Sequence, residues 1–294
     1  MASVVALGNF DGLHRGHMSV INETKKLAES LGAKPYALVF REHPSTILTG
    51  EPLPKIFDDE TRNREFKKLG VTLCFLDFKR MKDLSPEEFF EKIIKRRMGA
   101  KGVCCGFNYT FGKGGVGTPE LLKKLCSKND IKFKMAAELD FEGEAISSSR
   151  IREAIENGEI ERANIMLGRP FTFRQTVAYG DKRGSLIGSP TVNLPPCLDI
   201  VEPRHGVYLS STTYNGKKFY AVTNIGVRPT IGDEKRGSET HILDFRGNLY
   251  GRPLEISLLS FIRPEKKFES IKELEEQIHD DIRTARTLVN KITQ

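Results

Sequence analysis

Two histidines set three residues apart are the side chains of this chain best suited to phosphate chemistry. His14 and His17 lie in Gly8–His17, which reads Gly-Asn-Phe-Asp-Gly-Leu-His-Arg-Gly-His. Three residues are about one helical turn, so both imidazoles can face one oxyanion. The stretch follows an apolar run at 4–7 and precedes a predicted helix over 17–31. Because free N–H groups at a helix start favour an anion, we predict a phosphate-binding loop here. The alternative is a strand-to-helix turn with two surface histidines.

A cluster of serines and arginines offers a second set of phosphate ligands. Ser147, Ser148 and Ser149 precede Arg150 and Arg152 at the start of a predicted helix. Serine hydroxyls can cap free N–H groups or donate to phosphate. Arginines in a first turn oppose the helix dipole, which an anionic ligand would explain. A capping cluster with solvated arginines is the alternative.

The second half of the chain carries a hydroxyl, an amide and a carboxylate that suit phosphate chemistry with a metal. Thr191 and Asn193 follow the glycine-rich stretch 184–190 and, if extended, would point the same way. Their oxygens could hold Mg²⁺ and nucleotide phosphates, since Mg²⁺ prefers oxygen ligands. Glu239 is predicted to begin a strand, where it could take a proton from a substrate hydroxyl. Taken one at a time, a capped turn and a solvated glutamate are the competing interpretations.

Two glycine-rich motifs near residue 110 do not qualify as nucleotide fingerprints. Residues 106–113 resemble a P-loop, but five residues separate Gly106 from Gly112, and Gly114 stands where Ser or Thr is required. Residues 112–117 match GxGxxG but do not follow a strand of a first βαβ unit. A mobile loop beside a ligand remains the available interpretation.

The elements that must position these residues change in type near residue 168. In the first part of the chain, apolar runs alternate with helical patterns. The apolar runs lie at 3–7, 35–40, 73–77, 102–106 and 133–136, and the helical patterns lie near 17–31, 58–69, 86–98 and 119–128. Two further helices follow, one opening near 147 and one over 159–167. This alternation predicts an α/β domain with a parallel sheet over residues 1–167. Short strands at 173–178, 207–214, 218–223, 239–244 and 254–261 follow, with Asn215-Gly216 as a hairpin signal. They predict a small antiparallel barrel over 168–294, closed by a long helix with a capping box at Ser270 and Glu273 and an apolar packing stripe from Ile271 to Ile292.

Composition narrows the class of protein. The 294 residues have a net charge of +7, spread along the chain without an arginine-rich tail, which favours small anionic ligands over nucleic acid. The five cysteines lack zinc spacing, and Cys104-Cys105 lies in an apolar run, which predicts buried free thiols in a reducing compartment. The sequence shows no signal peptide and no apolar run near 18 residues, which predicts a cytoplasmic protein without a membrane partner. Its oligomeric state is left open.

The motifs taken together, in this order, resemble those of the bacterial bifunctional riboflavin kinase/FAD synthetases. The adenylyltransferase half of that family is matched by Gly8–His17, Phe40–Pro44, Gly106–Gly112 and Ser147–Arg152, and its kinase half by Gly188–Asn193, Asn224–Thr230, Glu239–Phe245 and Leu249–Gly251. The resemblance covers essentially the whole chain.

The resemblance implies a Rossmann-like nucleotidyltransferase domain, a riboflavin kinase barrel and two reactions that consume ATP and require Mg²⁺. The kinase converts riboflavin to FMN, and the adenylyltransferase converts FMN to FAD with release of pyrophosphate. The residues that it implies at the adenylyltransferase site are Gly8, Phe10, Asp11, His14, His17, Asn108, Ser148, Ser149 and Arg152, with His14 and His17 as catalytic. At the kinase site it implies Gly188, Thr191 and Asn193 as ligands of nucleotide, Thr191 also as a ligand of Mg²⁺, and Glu239 as the catalytic base.

Three positions depart from the family pattern, and three other functions compete with two active sites. Ser189 and Val192 replace the usual Phe and Ala of the kinase motif, and Tyr179 stands where histidine is common. These changes leave Thr191, Asn193 and Glu239 intact and bear on the rate and substrate affinity of the kinase. The competing functions are an adenylyltransferase with an inactive kinase half, a flavin- or nucleotide-binding regulator without turnover, and a basic nucleic-acid-binding module.

Overall fold

The computed structural model describes residues 2–178, 191–229 and 234–293. Between Ser148 and Ser149 the chain divides into two compact units. The first contains a parallel sheet and its helices, and the described part of the second contains an antiparallel sheet and three helices. The predicted change of fold class along the chain is confirmed.

The first unit is built on a five-stranded parallel sheet. Its strands are β1 (Ser3–Leu7), β2 (Lys34–Phe40), β3 (Thr72–Leu76), β4 (Ala100–Cys105) and β5 (Lys132–Met135), in the order β3-β2-β1-β4-β5. The helices are α1 (Arg15–Ser30), α2 (Pro44–Thr49), α3 (Asp59–Leu69), α4 (Phe78–Met81), α5 (Pro86–Phe89), which continues as a π-helical segment (Phe90–Arg97), and α6 (Pro119–Lys128). A short hairpin of β6 (Asp140–Phe141) and β7 (Glu144–Ala145) follows.

The apolar run of β1 is buried on both of its faces. Val4 and Ala6 pack into one core cluster, while Val5 and Leu7 pack into the other. Alternate side chains of a strand point to opposite faces, so an unbroken apolar run is what a central parallel strand requires. This burial places the end of β1, and the loop after it, at the middle of the sheet.

The strand order reverses beside β1. The chain runs from β1 to β2 and then to β3 on one side, and β4 returns to pair with β1 on the other side, with Leu7 opposite both Leu38 and Cys105. Open α/β sheets bind ligands outside the carboxyl ends of their strands at such a reversal. The segments that follow β1 and β4 therefore flank the expected ligand crevice.

The second unit begins with two helices and continues as a six-stranded antiparallel sheet. The helices are α7 (Ser148–Glu156, whose first residue belongs to the first unit) and α8 (Ile160–Leu167). The strands are β8 (Phe171–Thr176), β9 (Val192–Leu194), β10 (Gly206–Tyr214), β11 (Lys217–Pro229), β12 (Glu234–Ile242) and β13 (Pro253–Pro264), in the order β8-β13-β10-β11-β12-β9. The N–H of Ala178, just past β8, donates to the carbonyl of Asn193 in β9 at 2.8 Å. This hydrogen bond joins the two ends of the strand order, β8 and β9, as a barrel requires.

The terminal helix α9 (Ile271–Thr293) packs on the sheet by the middle of its apolar stripe. Ala285 is fully buried and Ile282 lies beside it in the core cluster, whereas Ile271 is 74% and Ile292 55% exposed. The prediction that the whole stripe is a packing face is therefore wrong at both ends. A bidentate ion pair between Arg263 and Asp281, with both N–O distances 2.8 Å, also fastens the helix to β13.

The capping box predicted for the last helix is half formed. The N–H of Glu273 donates to Ser270 Oγ at 3.2 Å. The Glu273 carboxylate accepts from the N–H of Glu269 at 3.1 Å instead of from Ser270. The hairpin at Asn215-Gly216 is confirmed, with Tyr214 paired to Lys217 and positive φ at both turn residues.

Burial divides the five cysteines into two groups, and we expect their reactivity to follow. Burial raises the pKa of Cys104 to about 11 and of both Cys105 and Cys126 to about 12, while Cys74 and Cys197 are partly exposed. Since the thiolate is the nucleophile, iodoacetamide at pH 8 should label Cys74 and Cys197 in the folded protein. The three buried thiols should react only after denaturation, as mass spectrometry of labelled peptides would show. Rapid native labelling of Cys105 would contradict the buried core.

Within the described residues, no helix combines the length and apolar character that a membrane crossing requires.

Candidate functional site

The loop after β1 has an unusual backbone and lies close against Ile56. Phe10, Gly12 and Leu13 have φ values of 54°, 75° and 42°, in the left-handed region. A Cβ on Gly12 would come within 2.9 Å of Ile56 Cγ2. Glycine is therefore needed at this position both for its backbone angle and for the close approach of a neighbour.

Asp11 holds this loop in place. Its carboxylate accepts from the N–H of Ile56 at 3.0 and 3.2 Å and from the N–H of Phe57 at 3.3 Å. The carbonyl of Asp11 accepts from Ser148 Oγ at 3.0 Å. Asp11 thus joins three segments of the first unit, and the structure brings Ser148 to the loop that the sequence singled out.

His14 and His17 lie together, as their spacing predicts. Their rings stack with centroids 3.6 Å apart, and Nδ1 of His14 accepts from the N–H of His17 at 3.3 Å. His14 thereby caps the start of α1. Because an accepting Nδ1 carries no proton, the proton of His14 is on Nε2. His14 therefore offers an N–H donor beside the free N–H groups at the start of α1.

Phe10 supports the histidine pair from the core. Its side chain is fully buried and makes edge contacts with His17 at 5.3 Å and with Phe66 at 5.7 Å between ring centroids. Because its ring is buried, Phe10 can contact a nucleotide only through its backbone. Its contribution to the loop is to fix the position of the His17 ring.

Asn108 lies on the far side of the crevice from β2. It is exposed and follows β4, whose last residue Cys105 is paired with Leu7 of β1. The segments carrying Asn108 and the histidines thus leave neighbouring parallel strands at the same edge of the sheet. This is the arrangement expected of a shared ligand crevice.

Ser149 and Arg152 belong to the second unit, on α7. Arg152 is only 8% exposed. Arginines this buried are almost always engaged by partners. The alternative of a solvated arginine therefore does not hold for Arg152.

The second unit brings Asn193 and Glu239 opposite each other. In the antiparallel pair of β9 and β12, Asn193 is the direct partner of Glu239, and Asn224 of β11 is the partner of Glu239 on its other side. Directly opposed residues share a face of the sheet with Cβ atoms about 4.5–5.5 Å apart. The two residues singled out from the sequence are therefore neighbours.

The prediction that Glu239 begins a strand is wrong. Glu239 lies inside β12, which starts at Glu234 and pairs with β11 along its whole length. Residues 234–238 read Glu-Lys-Arg-Gly-Ser, a polar run without alternation, and the pairing with β11 decides their conformation. A glutamate with a strand on either side is held more firmly than one at a strand end.

Beneath this site, buried hydroxyls connect three strands. Thr223 Oγ1 contacts Ser210 Oγ at 2.7 Å and Thr240 Oγ1 at 2.9 Å, and all three side chains are fully buried. Thr240 follows Glu239 and points to the opposite face of β12, since successive side chains alternate. This interior chain of hydrogen bonds supports the register in which Glu239 meets Asn224 of β11.

The remaining kinase residues are only partly described. Thr191 is half-buried and immediately precedes β9. Gly188, Ser189 and Tyr179 lie outside the described residues. The predictions that concern them stay as predictions.

The glycine-rich stretch after β4 has a conformational explanation. Phe111 and Gly117 exchange two backbone hydrogen bonds, of 3.1 and 2.8 Å, and close a tight loop. A Cβ on Gly117 would lie 2.7 Å from the Phe111 carbonyl oxygen, and Gly112 and Gly114 have positive φ. These glycines allow the loop to close.

The structure adds a pair of polar residues that sequence reasoning missed. Asn9 Nδ2 and His43 Nε2 lie 3.0 Å apart, joining the segments after β1 and β2. His43 caps the start of α2, a helix that was not predicted. The signal that could have shown it is Pro44, since proline is favoured at the first position of a helix.

Comparison with known proteins finds a matching family for each half of the chain. Residues 1–150 match the FAD synthetase family model, and residues 167–289 match the riboflavin kinase family model. Two relatives are described as bifunctional riboflavin kinase/FMN adenylyltransferases: one from Bacillus subtilis, 36% identical over 95% of this chain and 90% of its own length, and one from Listeria monocytogenes, 35% identical over 98% and 93%.

A solved structure has the same fold over nearly its whole length. It comes from Streptococcus pneumoniae and is described as a macrolide-efflux protein. It is 34% identical to this chain, with a TM-score of 0.87, and the match covers 97% of this chain and 94% of that one. The two family models and the full-length relatives are decisive: the chain belongs to the bifunctional riboflavin kinase/FMN adenylyltransferases, which make FMN from riboflavin and FAD from FMN.

Proposed function

We propose that residues 1–167 carry the FMN adenylyltransferase site and residues 168–294 the riboflavin kinase site. Support for the first comes from the stacked pair His14–His17 beside the reversal of strand order. Support for the second comes from the register that sets Asn193 against Glu239. That register carries the kinase assignment, because it joins an amide and a carboxylate from distant parts of the chain.

In the adenylyltransferase, the loop binds the triphosphate of ATP. Backbone groups from Gly8 onward and Nε2–H of His14 donate to phosphate oxygens, and His17 faces the same group. A phosphate oxygen of FMN attacks the α-phosphorus, the bond from that phosphorus to the β-phosphate bridge oxygen breaks, and pyrophosphate leaves. Because the nucleophile is already an anion, the protein contributes positioning and charge neutralisation.

The other residues proposed for this site act on the same ligands. Ser148 and Ser149 donate hydroxyl hydrogen bonds to the nucleotide, and Arg152 supplies a cation. Asn108 lies near the flavin and its phosphate. Asp11 fixes the conformation of the loop by accepting hydrogen bonds from the N–H of Ile56 and from Ser148 Oγ.

In the kinase, Glu239 takes the proton from the 5′-hydroxyl of riboflavin. The resulting oxygen attacks the γ-phosphorus of ATP, the bond to the β,γ-bridging oxygen breaks, and ADP leaves. General-base catalysis of this kind contributes about 10²–10⁴-fold in rate. Asn193, directly opposite Glu239, binds the nucleotide.

Thr191 and Asn193 would hold Mg²⁺ together with the nucleotide phosphates. The oxygen donors on these two residues fit a hard cation that keeps several waters and phosphate ligands. When bound, Mg²⁺ neutralises charge on the transferring phosphate.

The whole-chain experiment is a chromatographic assay with riboflavin, ATP and MgCl₂. FMN should appear first and FAD second, and both should require the metal. If added FMN were converted to FAD but riboflavin were not converted to FMN, the altered sequence around Ser189 and Val192 would have inactivated the kinase. Tight flavin binding with release of neither ADP nor pyrophosphate would contradict both site assignments.

The partners that we propose are the small molecules ATP, riboflavin and FMN, in a cytoplasmic setting without nucleic acid. The dispersed positive charge of +7 supports anionic ligands. Salt-sensitive binding to DNA or RNA would argue for the alternative.

A further inference from the structure

The contact between Asn9 and His43 has no role in the steps described above. Asn9 lies between Gly8 and Phe10 in the histidine-bearing loop, and His43 follows β2. The polar atoms Nδ2 of Asn9 and Nε2 of His43 are 3.0 Å apart although the residues are 34 positions apart in sequence. The contact therefore connects two neighbouring segments at the carboxyl edge of the sheet.

A second hydrogen bond fixes the protonation of the His43 ring. Nδ1 of His43 accepts from the N–H of Ser45 at 3.2 Å. A backbone N–H can only donate, so Nδ1 carries no proton. An imidazole must carry at least one proton, which leaves it on Nε2. The atom of Asn9 that meets Nε2 must then be an acceptor.

The amide of Asn9 can satisfy this requirement in one orientation only. The oxygen and nitrogen of a side-chain amide are nearly identical in shape and are assigned from their hydrogen bonds. With Nε2–H as donor, Oδ1 occupies the position 3.0 Å away and the NH₂ group turns away from His43. His43 thus determines which side of Asn9 presents donors to the loop.

We propose that Asn9 donates its NH₂ group to a phosphate oxygen of the adenylyltransferase ligands and that His43 is a positioning residue for it. The inference rests on the proposed function of the Gly8–His17 loop. Asn9 lies in that loop, at the end of the central strand β1, and is partly exposed. A phosphate oxygen accepts and never donates, so only the orientation that His43 imposes lets Asn9 bind it.

The test is the rate of FAD formation from FMN and ATP, measured as kcat/KM for ATP. Thermal unfolding of each variant is the control for folding, and riboflavin phosphorylation is the control for the activity of the other half. Asn9→Asp keeps the acceptor for His43 but replaces the donor by a negative charge. It should lower kcat/KM by about 100-fold or more, mainly through KM, while Asn9→Ala should lower it about 10-fold. Both variants should keep wild-type kinase activity.

His43 is tested by rescue and by coupling. His43→Ala should lower kcat/KM about 10-fold, and His43→Gln, which retains a side-chain N–H donor, should recover much of this loss. The double variant Asn9→Ala/His43→Ala should be no worse than Asn9→Ala alone, because His43 acts through Asn9. A purely structural histidine would instead give additive losses and no rescue by glutamine.

The results separate this inference from the site assignment. Wild-type kcat/KM in Asn9→Asp, or additive losses in the double variant, would overturn the role of the pair. His17→Ala is measured in parallel. If both His17→Ala and Asn9→Asp left FAD formation unchanged, the proposed site itself would be wrong. If His17→Ala blocked FAD formation while Asn9→Asp did not, only the inference about Asn9 would fail.

Discussion

Replacing Glu239 by glutamine should abolish FMN formation and leave conversion of FMN to FAD intact. Glutamine keeps the size and the strand position of Glu239 between Asn193 and Asn224 but cannot accept a proton. Loss of a general base costs about 10²–10⁴-fold in rate. The measurement is kcat for riboflavin phosphorylation, with FMN adenylylation by the same preparation followed separately.

A matched control is available on another strand of the same sheet. Glu255 lies on β13, which β10 and β11 separate from β12 in the strand order. Glu255→Gln should leave FMN formation near the wild-type rate. If Glu239→Gln phosphorylated riboflavin normally, a different group would be the base; if it also stopped FAD formation, the activities would be wrongly divided between the halves.

Replacing His17 by alanine should have the opposite effect, blocking FAD formation while riboflavin is still converted to FMN. The ring of His17 is stacked on His14 and contacts Phe10, so its removal takes away one of the two proposed phosphate ligands and a packing contact of the other. Removing one preorganised donor from a site where charge develops costs about 10²–10³-fold in rate. Pyrophosphate release from FMN and ATP measures this step directly.

The control for this variant is an exposed histidine of the other unit. His279 lies on the exposed part of α9, and His279→Ala should leave both activities unchanged. His17→Ala that still made FAD at the wild-type rate would contradict a role of this loop in adenylyl transfer. Thermal unfolding of His17→Ala at the wild-type temperature would show that the variant is folded, and unchanged riboflavin phosphorylation would show that the loss is confined to adenylyl transfer.

Local patterns predicted the elements with strong periodicity and clear ends. The bounds of β1 and α6 were predicted at Ser3–Leu7 and Pro119–Lys128, where the structure has them. In both cases the information lies within the segment: an unbroken apolar run for β1, and the cap Thr118 followed by proline for α6. Contacts with residues elsewhere in the chain add little to where these two elements begin and end.

Elements that depend on distant partners were missed or misplaced. The three-residue strand β9 has too few residues for a periodic signal, and the first half of β12 is polar. Both are strands because they pair with residues far away in sequence. A propensity summed over a short window cannot contain the energy of those cross-strand pairs.

The same distinction applies to the two sites. The sequence by itself determined the chemical groups and the pair His14–His17, because residues three apart at a helix start meet whatever surrounds them. Only the tertiary structure decided that Asn193 faces Glu239, that Asp11 binds the backbone of Ile56, and that Asn9 meets His43. These contacts join separate segments, and their geometry is set by the register and order of whole sheets. A shift of one residue would turn every side chain of a strand to the other face.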